Sequence, residues 1–323
     1  MEINEQVATL YNTAINYHAS DIYFLPVNDQ YVIKIRNSES LMDWKIMSAV
    51  RARRMMNYCK YMADMALSEL RRPQIGSMDW QVADRQYSLR LSSVGDFSGA
   101  ESMVVRIIYD LEEIKTAFFD LEALKKVRQM TSRRGLVIFS GPTGSGKTTT
   151  IYNLVNQTSA GKIVMTIEDP VEIKQPNYLQ LQVNREAGMA YSDLIKVGLR
   201  HRPDVFIVGE IRDELTAKAA IRAALSGHLV YSTIHAQSPR GVVDRLSQLG
   251  IDRPFISQAL TAVCYQRLIP TIDGQQKVLL KTHTLQELMK TNTYDWEDWQ
   301  NGLEQAIVNQ QITRKTAEQF WYG

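Results

Sequence analysis

Positions 141 to 148 read Gly141-Pro142-Thr143-Gly144-Ser145-Gly146-Lys147-Thr148, a spacing of glycines, lysine and hydroxyl that suits the holding of phosphates. Glycines let successive backbone N–H groups converge on one anion, and a helix that starts there favours negative charge. Lys147 has the reach for the β- and γ-phosphates of ATP, and the Thr148 hydroxyl suits a Mg²⁺ ion beside them. Thr149 follows in the first turn. Residues 136–139 form a short apolar run ahead of the loop, and 147–155 read as a helix behind it. That strand, turn and helix is the arrangement phosphate binding needs.

Four further side chains are candidates for the chemistry. Ligands of open parallel sheets gather at the carboxyl ends of the strands, so strand-final residues carry the weight. A strand at 163–167 runs into Glu168, and one at 205–208 runs through Gly209 into Glu210. Hydrolysis of a phosphoanhydride needs one acid near Mg²⁺ and one group that orients or deprotonates water, and two carboxylates at two strand ends meet that need. His228 and His235 bracket a strand at 229–234. Their separation puts them roughly 20 Å or more apart, on opposite faces, so one phosphate cannot meet both. His235, at the carboxyl end, is the candidate γ-phosphate sensor; His228 reads as structural or as a contact to a neighbouring subunit. The transition state also gains from a cation outside the loop. Arg85, Arg90 and Arg106 are available in the N-terminal half, to act across a domain or subunit interface.

The elements that would position these groups divide in two. A chain of 323 residues suggests about two domains. The first, 1–113, reads as a small α+β module with a helix at 3–18, strands at 21–25 and 31–36, a helix over 43–66, and strands at 79–83, 86–93 and 102–108. The basic run Arg51, Arg53, Arg54 and Lys60 reads as a solvated helix face. The charged segment 110–115 marks the boundary. In the second, 114–323, strands alternate with helices, which implies βαβ units and a parallel sheet. Asp213 reads as the N-cap of a helix at 214–225, and Gly227 as its stop. A helical C-terminal subdomain is expected from about 252. The tail 284–321 reads as helical, with Trp296, Trp299 and Trp321 as packing groups.

Composition narrows the class. Apolar residues make up 45% and charged residues 22%, ordinary for a globular chain. There is no apolar run of about 18 residues, which argues against a bilayer span, and the polar, acidic start is unlike a signal peptide. Cys59 and Cys264 are too few for a disulfide framework or a zinc site. A cytosolic location follows as the expectation. The net charge of +2 gives no long-range attraction for nucleic acid, so no direct nucleic-acid binding is expected.

The segment 162–172 resembles the aspartate box of secretion ATPases, LRHRPDVFIVGEIRD from Leu199 to Asp213 their Walker B segment, and GHLVYSTIH from Gly227 to His235 their histidine box. With the Walker A loop, four ordered motifs identify the chain as a member of the traffic ATPases of type II secretion and type IV pili. Ala19-Ser20-Asp21-Ile22, Arg90-Leu91-Ser92 and Val105-Arg106-Ile107 are similar to the family's N-terminal strands. The resemblance implies a hexameric ring of a PAS-like N-terminal domain and a RecA-like P-loop NTPase domain. ATP would lie between the two, contacted by N-terminal arginines. A membrane platform protein would be the partner, placing the motor at the inner face of the cell membrane. It implies Glu168 as catalytic glutamate, Glu210 as the acid supporting Mg²⁺, His228 and His235 as the histidine box, and Arg90 and Arg106 as the arginines near the nucleotide. Arg202 stands where the family commonly has Asp, Ala236 where it has Thr, and Tyr23 where it has His.

The short plan, without a tetracysteine module, resembles the competence-pilus assembly ATPases of Gram-positive bacteria, which serve DNA uptake. A retraction ATPase is the alternative, although 284–321 shows no match to the tail helix common in those enzymes. An ATP-binding scaffold without turnover is a further alternative, opposed by the presence of both acids. A helicase shares the core but would need an aromatic, basic strand-binding groove.

Overall fold

In the N-terminal half, buried and exposed residues alternate along several strands, and apolar residues repeat at helical spacing in the first helix. The computed structural model describes residues 2–37, 40–114, 116–131, 134–185, 187–290 and 294–323; Lys115 of the expected boundary segment and 291–293 of the expected tail lie outside them. The chain forms two compact units, Met1–Asp110 and Leu111–Gly323. No described helix is long and apolar enough to cross a membrane.

The first unit starts with α1 (Ile3–Asn16), whose Val7, Leu10, Tyr11 and Ala14 form the buried stripe. Then come β1 (Asp21–Val27), β2 (Gln30–Arg36), β3 (Leu41–Ser48), α2 (Ala49–Met62), β4 (Gln74–Val82), β5 (Arg85–Gly95) and β6 (Glu101–Ile108). The six strands make one sheet in the order β3-β2-β1-β6-β5-β4, each neighbouring pair antiparallel.

Two expectations are corrected here. The helix expected over 43–66 is strand as far as Ser48: Met42 and Trp44 alternate with exposed neighbours, Met42, Asp43 and Lys45 pair along β2, and α2 starts only at Ala49. Lys60, expected on a solvated face, is fully buried. Its Nζ donates to Glu101 Oε1 at 2.8 Å and to the Glu69 carbonyl at 2.7 Å. Lys60 falls on the same helix face as Ala52 and Met56, which point into the core, whereas Arg51, Arg53 and Arg54 face out.

The second unit comprises β7 (Ala117–Phe118), α3 (Leu121–Met130), β8 (Gly135–Ser140), α4 (Lys147–Thr158), β9 (Val164–Glu168), β10 (Leu179–Gln182), α5 (Tyr191–His201), β11 (Val205–Val208), α6 (Glu214–Leu225), β12 (Leu229–Ile234), α7 (Pro239–Gln248), α8 (Arg253–Ala259), β13 (Leu260–Pro270), β14 (Gln276–His283), α9 (Leu285–Leu288), α10 (Glu297–Val308) and α11 (Arg314–Gln319). Its sheet runs β10-β9-β11-β12-β8-β13-β14-β7, parallel from β10 through β13. Every residue of β8, β9 and β11 is buried, as strands covered on both faces must be. One core cluster holds Ile195, Ala220 and Val242 of α5, α6 and α7; a second holds Val127 of α3 and Tyr152 of α4, and a third Tyr265 and Trp299. Asp213 caps α6 by accepting from the Thr216 N–H, and Gly227 follows its end at φ +93°.

The helical subdomain expected from about 252 is not wholly helical. After the short α8, β13 joins the sheet beside β8 and β14 returns antiparallel to it. The buried run through Val263, Cys264 and Tyr265 belongs to a sheet interior, and helices resume only at α9. Trp296 and Trp299 pack edge-on to Tyr265, with ring centroids at 5.6 and 5.4 Å.

Candidate functional site

The phosphate loop leaves β8 after Ser140. Gly141 there has φ +139°, and a Cβ on it would lie 2.2 Å from the Gln266 carbonyl of β13. Only glycine lets the loop pass so close to the strand. Gln266 also braces the far side, donating from Nε2 to the Ser145 carbonyl at 2.6 Å. Gly146 is the N-cap of α4, so the helix starts at Lys147 with Thr148 and Thr149 in its first turn. Pro142, Thr143 and Gly144 form the exposed rim. Lys147 is 8% exposed, its Nζ donating to the carbonyls of Gly141 at 3.0 Å and Pro142 at 2.8 Å. Burial holds its pKa below the usual lysine range, against the opposing carboxylates of Glu210 and Glu172. The buried Ser145 and Thr150 hydroxyls have no protein hydrogen-bond partner. A lysine, a helix N-terminus and a partnerless hydroxyl in one cradle fit a polyphosphate.

The candidate acids reach the same edge because their strands are neighbours. β9 pairs with β11, β11 with β12, and β12 with β8, all in one direction. Glu168, Gly209-Glu210, His235 and Gly141 therefore follow one another along the carboxyl edge, one strand spacing of about 4.8 Å at each step. The Gly209 N–H donates to the Ile167 carbonyl at 2.8 Å, and Thr233 Oγ1 donates to the Gly209 carbonyl at 2.7 Å, which fixes the Glu210 turn.

The two carboxylates sit in different surroundings. Glu168 is 2% exposed, and burial pushes its pKa up; the Tyr152 hydroxyl opposes this by donating to Oε1 at 2.5 Å. Glu210 is held at both oxygens, with Arg212 Nε donating to Oε2 at 2.6 Å and His235 Nε2 at 3.1 Å from Oε1. That bond raises the Arg212 pKa further. A cavity of about 490 Å³ opens here, lined by Gly141, Pro142, His235, Tyr265, Arg267 and Tyr322. A second, of about 280 Å³, lies between Glu210, Arg212, His235 and Arg245.

Not every candidate joins this row. His228 precedes β12 at its amino end, where Nδ1 is 3.2 Å from the Ala223 carbonyl and the ring meets Phe206 edge-on at 5.4 Å. Arg90 and Arg106 belong to the first unit, where they are cross-strand partners on β5 and β6. Arg106 Nε donates to the buried Asp21 carboxylate at 2.9 Å. Three residues at the site escaped the sequence reading. Tyr152 looks like one more apolar member of α4, beside Ile151 and Val155, and Gln180 like an ordinary strand polar residue. Arg212, two residues beyond Glu210, offered a signal in its proximity to a candidate acid.

A family model described as type II/IV secretion system protein matches residues 2–316. The chain is 40% identical over 318 residues to competence protein ComGA of Streptococcus pneumoniae, covering 98% of this chain and 97% of that protein. To the protein of the same name in Bacillus subtilis it is 37% identical over 256 residues, covering 78% and 72%. The fold is similar to that of the ATPase DotB of Legionella pneumophila, with a TM-score of 0.74 at 18% identity, covering 96% of this chain and 94% of that one.

Proposed function

Because this chain belongs to the type II/IV secretion system protein family and is an ATPase, we propose that it is the motor of a competence pseudopilus. It would hydrolyse ATP at the phosphate-loop edge to drive pilin assembly for DNA uptake. The observation that carries the chemistry is the row of Glu168, Glu210 and His235 beside the phosphate loop, delivered by adjacent parallel strands. Gly141 through Thr149 bind the phosphates, with Lys147 turning from the loop carbonyls to the β- and γ-phosphates. Thr148 and Glu210 would hold Mg²⁺, which when bound neutralises charge on those phosphates. Glu168 takes the proton of a water attacking the γ-phosphorus, as the bond to the β-phosphate oxygen breaks and ADP leaves. His235, tied to Glu210, senses whether the γ-phosphate is present. We assign His228 to subunit contacts, and Arg90 and Arg106 to transition-state charge, supplied by a neighbouring subunit of a homohexamer.

The names of the relatives support the competence assignment, and the family supports work against a membrane platform protein at the inner face of the cell membrane. The six-stranded antiparallel sheet with two helices supports a PAS-like class for the first unit. ATP hydrolysis by the purified full-length chain tests the chemistry. Lys147→Ala is expected to lose nucleotide binding, and Glu168→Gln to keep binding while turnover falls by about 10²-fold or more. Turnover unchanged in Glu168→Gln contradicts the assignment. In cells, deletion is expected to abolish filaments and DNA uptake. Filaments that persist without dynamics would favour retraction.

A further inference from the structure

We propose that Tyr152 is the positioning residue for Glu168: its phenol holds Oε1 in a fixed orientation and keeps that carboxylate able to accept a proton. The inference rests on the reading of Glu168 as proton acceptor and deepens it.

The direction of each hydrogen bond is settled by the backbone. The Gln175 main-chain N–H can only donate, and it lies 2.8 Å from Gln180 Oε1, which identifies that atom as the oxygen. The Gln180 amide nitrogen then donates to the Ile173 carbonyl and to the Tyr152 hydroxyl, each at 2.8 Å. The hydroxyl accepts there, so its own proton points to Glu168 Oε1 at 2.5 Å. A relay from the main chain through Gln180 and Tyr152 therefore ends on Glu168 with fixed polarity. Oε1 is committed to the phenol, and the Glu172 backbone N–H also bears on the carboxylate.

The groups around the carboxylate make the phenol matter. Glu172, in the loop after β9, raises the Glu168 pKa by its charge, although its backbone N–H opposes this. Tyr191 of α5 faces the same region, and burial raises its pKa, so it stays neutral. Burial and the charge of Glu168 do the same to Tyr152. A neutral phenol that donates to the ionised carboxylate favours that form. Tyr152 also stands on the helix that starts with Lys147, so one rigid element carries both the phosphate-binding lysine and the holder of the carboxylate.

The test is the pH dependence of kcat for the full-length chain and Tyr152→Phe, with Glu168→Gln as control. In Tyr152→Phe the acid limb is expected to move up by about 1 pH unit or more. Activity at neutral pH should fall and recover in alkali, with nucleotide affinity within about twofold of wild type, a shift of about 0.4 kcal/mol. Gln180→Met, which removes the donor to the phenol, should move the limb the same way by less. A ¹³C titration of the Glu168 carboxyl, assigned through Glu168→Gln, reads the same shift without turnover. A merely structural Tyr152 would lower Tm and leave limb and titration where they are; that result in both variants overturns the proposal. Full turnover in Glu168→Gln would overturn the functional reading first, and this inference with it. A dead Glu168→Gln with an unmoved limb in Tyr152→Phe would overturn the inference alone.

Discussion

Glu168 shows at the level of one residue what burying a carboxyl does to stability. Its folded-state pKa is raised, first by burial, so ionisation opposes folding. For a raised carboxyl, the stability contribution is fully present below the unfolded value of about 4.3 and is lost as pH rises through the folded value. Glu168→Gln, which cannot ionise, is therefore expected to melt higher than wild type at neutral pH. The gap should close as the pH falls to about 4. Thermal unfolding across that range checks this, and a lower Tm for Glu168→Gln at every pH would contradict it. His235→Ala frees one Glu210 oxygen, and is expected to slow turnover by about 10²-fold while ATP still binds. Equilibrium nucleotide binding beside single-turnover rates separates the two effects. At this scale the placing of Glu168, Glu210 and His235 on the carboxyl edge was legible, because each ends or closely follows a strand. Tyr152 was not, since a tyrosine in an apolar helical stripe looks like core until its hydroxyl is seen to meet a carboxylate.

Elements hold these residues through close contacts that periodicity does not reveal. Helix α5 lies against β9 and β11 at Gly198, where an added Cβ would come within 2.7 Å of Phe206 Cε1 and 2.8 Å of Met165 Sδ. Gly198→Ala is expected to cost about 1–3 kcal/mol by overpacking, read from denaturant unfolding. In the first unit, Lys60 ties α2 to β6 through a pair that is 0% and 4% exposed. Lys60→Met leaves the Glu101 carboxylate buried without its cation, and should cost about 3–5 kcal/mol. A change below about 1 kcal/mol would mean that water reaches Glu101 and screens it. The parallel order of the motif-bearing strands could be anticipated from alternating strands and helices. The strands β13 and β14 could not, because a continuous apolar run serves a buried strand or a buried helix equally. The edge strand β3 was hidden by its charged, exposed alternate residues.

At the scale of the whole molecule, the proposed ring makes each chain depend on its neighbours. The phosphate loop, both acids and His235 belong to the second unit, whereas Arg90 and Arg106 belong to the first. The motifs propose which residues share one chemistry, but a motif carries no information on which subunit completes it. The most direct measurement is the ATPase rate per subunit against protein concentration for wild type, Lys147→Ala and Arg90→Ala. A ring of complete sites predicts specific activity that rises as subunits associate, no turnover in Lys147→Ala, and a rate in Arg90→Ala lower by about 10³-fold. A rate independent of concentration and untouched by Arg90→Ala would mean that each monomer holds a complete site, and would contradict the ring mechanism.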